Sequence, residues 1–135
     1  MPFVIDASIA ISWALEDEAS ATSRAAWARL TNEYEEVHAP ALWWMEVRNA
    51  LIVNERRKRI TFEKTTIFLS ALSRLHVALD SATEESALLS LARQQGLTVY
   101  DAAYLELAQR QGVALATLDA DLAKAARKVG VPLLG

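Results

Sequence analysis

Two rhythms of apolar and polar positions alternate along the chain: short unbroken apolar runs, and longer stretches with apolar residues every three to four positions. Pro2 to Asp6 (PFVID) is rich in strand formers and predicts a buried strand. Ser8 to Leu15 has a helical pattern that stops at the acidic stretch Glu16 to Glu18, and Ser20 to Leu30 predicts a second helix. Val37 to Ala39 predicts a short strand closed by Pro40, and Ala41 to about Arg59 a long helix ending in cations. A helix capped by Thr61 is expected to run to Leu75, with a strand over His76 to Leu79. Thr83 to Gln95 predicts an amphipathic helix stopped by Gly96, and Asp101 to Gln111 another, stopped by Gly112. A strand over Val113 to Leu118, a helix over Asp119 to Val129 and a last strand over Val131 to Leu134 complete the pattern.

Short apolar strands alternating with helices imply an α/β domain with a parallel sheet. No linker, repeat or low-complexity segment interrupts residues 1–135, so one domain is expected.

Composition narrows this reading. Hydrophobic residues make up 53% and charged residues 23% of 135, the profile of a packed globule rather than a disordered chain. The absence of cysteine excludes a disulfide scaffold, a thiolate metal site and a cysteine nucleophile. The start, MPFVIDAS, has neither the basic nor the long apolar part of a signal peptide, and no run approaches a membrane span, so a cytoplasmic location is expected. The net charge of -3 argues against bulk electrostatic binding of nucleic acid. The charges are uneven, however. Arg56 to Arg59 form one basic run, and acids gather at Glu16 to Glu18 and at Glu33, Glu35 and Glu36.

Four carboxylates carry the candidate chemistry. Asp6 and Asp119 each stand where a buried strand gives way to a helix, and Asp101 stands at the start of a third. Each is explained by helix capping or by the helix dipole. The alternative is that parallel α/β topology brings strand-to-helix turns to one sheet edge, where ligands bind. Glu46 is different: it lies inside LWWMEVRNALIV, and on a helix its face also carries Leu42, Asn49, Ala50 and Val53. An inward carboxylate there needs a salt bridge, a proton or a metal ion. If the four converge, oxygen donors alone suit Mg²⁺ or Mn²⁺ better than zinc, and such an ion suits phosphoryl chemistry. Asp6 and Asp101 are then expected to hold the main ion, Glu46 to hold or orient a water, and Asp119 to complete a second, weaker site. Ser8 and Thr117 stand where they can hydrogen-bond two of these acids, or act as ordinary cap and turn residues.

Other features have plainer explanations. His38 and His76 show no ligand spacing, Asp80 suits a turn, Asp121 suits a solvated helix face, and the four tryptophans suit a core with one or two left for a partner. No GxGxxG, GxxxxGK or GxSxG motif is present.

The segments VIDAS, MEVRNAL, GLTVYDAAYLELA and ATLDADLAKAARKVGV together resemble PIN-domain nucleases, specifically the VapC-type toxins of toxin–antitoxin pairs, over residues 3–134. The resemblance implies an α/β/α sandwich and a metal set of Asp6, Glu46, Asp101 and Asp119. It also implies Mg²⁺- or Mn²⁺-dependent cleavage of a structured RNA, often a transfer RNA, a homodimer, and a VapB-like antitoxin as partner. A nuclease of RNA processing outside toxin systems and a non-catalytic α/β interaction module are the alternatives. A phosphohydrolase with Asp6 as nucleophile calls for a second acid two positions on, where this chain has Ser8.

Overall fold

The computed structural model describes residues 1–32 and 35–134; Glu33 of the acidic stretch lies outside the described residues. Four strands, β1 (Phe3–Ile5), β2 (Val37–Pro40), β3 (Val77–Asp80) and β4 (Ala114–Ala116), form one parallel sheet in the order β3-β2-β1-β4. Phe3, Val4 and Ile5 are all fully buried, as expected of a parallel strand covered on both faces. The covering helices are α1 (Ala7–Ala14), α2 (Ala21–Leu30), α3 (Leu42–Arg56), α4 (Phe62–Leu72), α5 (Glu85–Gln95), α6 (Val99–Gln111) and α7 (Ala120–Lys128). The α/β sandwich is thus the expected one.

The sheet order places the site. The chain steps outward from β1 to β2 to β3, then returns to lay β4 against the other side of β1. The order therefore reverses between β1 and β4, and in open α/β sheets the crevice beyond the strand ends at such a reversal is where ligands bind. The turns leaving β1 and β4 meet there, with the Asp6 N–H donating to the Ala116 carbonyl at 3.1 Å. Helix α6 packs across β1, β2 and β4, and every residue from Ala102 to Ala108 is buried. It is a central helix, hydrophobic nearly all round, and Glu106 is its buried exception.

Several boundaries differ from the sequence pattern. The long helix ends at Arg56 rather than Arg59, because Lys58 turns left-handed (φ 59°) and breaks the ladder. Helix α4 ends at Leu72, short of Leu75. The expected strand at Val131–Leu134 is one bridge, Leu133 to Leu115. Helix α6 starts two residues early, because the extended Thr98 (φ -64°, ψ 158°) caps it by accepting the Asp101 N–H at 3.1 Å.

Candidate active site

Strand β1 delivers Asp6 to the crevice, where it caps α1. Its Oδ1 accepts from the Ser8 N–H at 2.8 Å, the Ile9 N–H at 3.4 Å and the Ser8 hydroxyl, and its Oδ2 accepts from the Thr117 hydroxyl at 2.5 Å. The two hydroxyls also accept from the second turn, Ser8 from the Leu118 N–H at 2.9 Å and Thr117 from the Asp119 N–H at 3.0 Å. The β1–α1 and β4–α7 turns are thereby tied together through Asp6. Asp6 is thus a cap and a bridge between the two turns at once. Asp6 is only 5% exposed, and burial outweighs its hydrogen bonds, pushing its pKa up to about 6.

Asp119 caps α7, with Oδ1 accepting the Leu122 N–H at 3.0 Å. Asp101 caps nothing, since Thr98 does that work; it is the third residue of α6, on a half-buried face. Burial raises its carboxyl, and the charge of Asp119 and then of Asp121 raises it further, against a hydrogen bond from Thr98. Glu46 projects half-buried from α3 and accepts a 2.5 Å hydrogen bond from the Tyr104 hydroxyl. Burial raises Glu46 first, and the charge of Asp101 adds to it. The phenol of Tyr104, 1% exposed, is raised by burial, by its bond to Glu46, and by the charges of Glu46, Asp6 and Asp101. Its hydroxyl therefore stands within the field of three acids from three elements.

Among the described residues no Lys or Arg forms an ion pair with any of the four acids. The salt bridge considered for Glu46 is replaced by Tyr104. Sequence reasoning missed this tyrosine because an aromatic in an apolar helix reads as core; its one signal is its place three residues after Asp101, on the same helix face.

Two clefts flank the acids. One, of about 680 Å³, is lined by Ser8, Glu18, Glu46, Asn49 and Asp119 together with apolar Ala7, Ile11, Ala50 and Leu118. The other, of about 420 Å³, reaches Asp101 and is lined by Thr98, Asp121, Lys124 and Lys128. Asp121 is exposed as expected, yet it also adds charge beside Asp101. His38 and His76 line a separate cleft with Leu30 and Glu35, away from the acids. In the basic run, Arg59 is bound to Asp17 and Glu18 at 3.0 Å each, while Arg56, Arg57 and Lys58 stay exposed.

The donor set is all oxygen, which fits a hard divalent cation. Raised carboxyls with no cationic side chain paired to them fit it too. Among the described residues no three acidic or histidine side chains stand close enough to enclose an ion. The fit is thus one of chemistry and charge, with the like-charged side chains held apart.

The model of the PIN domain family matches residues 3–128. This chain belongs to the PIN-domain family. A relative, Ribonuclease VapC3 of Pyrobaculum aerophilum, is 34% identical over 127 residues, 92% of this chain and 94% of its own. The crystal structure of PAE2754 from the same organism superposes with a TM-score of 0.69 at 25% identity, covering 93% of this PIN domain and 84% of that chain. No helix among the described residues is long and apolar enough to cross a membrane.

Proposed function

We propose that this PIN domain is a Mg²⁺- or Mn²⁺-dependent endoribonuclease, the toxin of a toxin–antitoxin pair, with Asp6, Glu46, Asp101 and Asp119 as its catalytic and metal-binding residues. The observation that carries the reading is that carboxylates from separate elements, none paired with a Lys or Arg among the described residues, stand within reach of one another's charge at the sheet's point of reversal. The likeness to Ribonuclease VapC3 supports RNA as the substrate class. The proposal carries with it a VapB-like antitoxin partner, a homodimer, cytoplasmic action and a structured RNA target such as a transfer or ribosomal RNA.

Asp6 and Asp101 would hold the main ion, with Asp119 completing a second, weaker site. A divalent cation supplies such a site with charge stabilisation at the phosphoryl oxygens and a lowered pKa for the attacking water. The chain does the rest. Ser8 and Thr117 fix the Asp6 carboxylate, whose Oδ2 takes one hydrogen bond and keeps a lone pair free. Tyr104 holds one oxygen of Glu46, leaving the other to orient a water or accept its proton.

The test is RNA cleavage by purified Asp6→Asn and Asp101→Asn proteins with Mn²⁺, beside growth of cells expressing them. Both substitutions are near-isosteric and remove one ligand charge. Cleavage and growth arrest are expected to disappear while the circular dichroism spectrum is retained. Cutting at the wild-type rate by either variant would overturn the assignment.

A further inference from the structure

The two clefts differ in charge. The larger has Glu18, Glu46 and Asp119 on its lining and no Lys or Arg. The smaller balances Asp101 and Asp121 with Lys124 and Lys128. Both lysines are exposed, and among the described residues neither forms an ion pair or hydrogen bond, whereas Arg29, Arg59 and Arg110 are committed to carboxylates. They stand four residues apart on α7, one turn along the same face. Such a pair braces no carboxylate of the fold and leaves two ammonium groups free to meet an anion at the cleft.

We infer that the smaller cleft is a phosphate subsite, in which Lys124 and Lys128 hold the RNA backbone next to the phosphodiester presented to the four acids. This rests on the nuclease reading above and adds a direction to it. The backbone crosses the site on the α7 side, because the larger cleft sets three carboxylates and no Lys or Arg before a phosphate. Its apolar lining of Ala7, Ile11, Ala50 and Leu118 suits a base or ribose instead. The exposed Arg56, Arg57 and Lys58 lie beyond both linings.

The test measures binding of a short fluorescein-labelled single-stranded RNA of mixed sequence by anisotropy, over a series of KCl concentrations with Mg²⁺ present. The Asp6→Asn background keeps the probe intact. K124Q/K128Q is compared with K64Q/R74Q, which removes the same charge from exposed positions outside both clefts. Losing two phosphate contacts is expected to make the slope of log K against log salt shallower by about 1.4. K64Q/R74Q should leave the slope near its starting value, and K124R/K128R should restore it. With Asp6 intact, K124Q/K128Q should raise the KM for cleavage more than it lowers kcat. Equal slopes in the two Gln pairs, or failure of the Arg pair to rescue, overturn the subsite while leaving the nuclease reading in place. If the Asp6→Asn protein binds no RNA, the subsite falls, and the nuclease reading is decided by the cleavage test above. If Asp6 proves dispensable for cleavage, the assignment of the four acids falls, and the subsite is judged on the KM of K124Q/K128Q alone.

Discussion

At the scale of single residues, Tyr104 shows how a side chain outside the acid set can govern it. Its ring is core, but its hydroxyl is committed to Glu46 at 2.5 Å. Tyr104→Phe keeps the ring and removes the one donor among the described residues that orients this carboxylate. Losses of such supporting bonds typically cost 10–100-fold in metal affinity or activity, so a drop of about that size is expected. It should appear as a higher Mn²⁺ concentration for half-maximal cleavage, with a stability change of only about 1 kcal/mol in urea melts. An unchanged Mn²⁺ dependence would reduce Tyr104 to packing. Thr117→Val is the companion case. It strips Asp6 of one donor and leaves the Asp119 N–H unpartnered, and is expected to cost about 2 kcal/mol. As candidates, Asp6, Asp101 and Asp119 were legible only through their shared place at helix starts, and Glu46 because it interrupts an apolar stripe. The hydroxyls that hold them were only partly legible. Ser8 and Thr117 gain meaning from adjacency to an acid, whereas the bond of Tyr104 to Glu46 spans 58 positions and two helices.

At the scale of elements, α6 is fastened at both ends by polar contacts. Thr98 caps its start, and near its end Arg110 binds Glu106 on its own helix and Asp80 at the end of β3. Glu106 is 2% exposed, and Arg110 is the cation paired with it. Arg110→Met strands the buried carboxylate and is expected to destabilise the fold by about 3 kcal/mol in urea melts, with E106Q/R110M recovering much of the loss. A cost under about 0.5 kcal/mol would mean that the contact is merely superficial. Hydrogen bonds from Arg110 hold the Asp80 carboxyl below its ordinary range. Its contribution is therefore complete above the unfolded carboxyl pKa, near 4, and fades as pH falls through the folded value. Asp80→Asn should flatten the acid limb of the stability curve. The apolar pattern revealed nearly every element, as unbroken runs where a strand is covered on both faces and as helical spacing where a helix hides one. Ends were less legible, because competing caps decide them. Thr98 pre-empts Asp101, Glu84 caps α5, and the left-handed Lys58 ends α3 inside a basic run that reads as continuous helix.

At the scale of the whole molecule, the fold carries a cost at its centre that a bound cation would relieve. With the Asp6 pKa raised to about 6, the folded state holds a proton that the unfolded chain has already lost. Stability therefore falls as pH rises from about 4 through 6, and above that ionised Asp6 costs about 2–3 kcal/mol. Asp6→Asn removes the titration, so near neutral pH the variant should unfold at higher urea than the wild type, inactive but sturdier. Mn²⁺ should offset the same cost in the wild type. An ion present at a hundred times its dissociation constant adds about 2.7 kcal/mol. In a domain of this size that is a rise in Tm of several degrees, roughly 5–15 °C. The rise should grow with the logarithm of Mn²⁺ concentration at pH 7.5, shrink near pH 5 as Asp6 takes up its proton, and be largely absent in D6N/D101N. This measurement needs neither RNA nor antitoxin and separates a metal site from a set of helix caps. Equal Tm shifts in the wild type and D6N/D101N would mean that the cation binds elsewhere, leaving Asp6 and Asp119 as caps that happen to share a crevice.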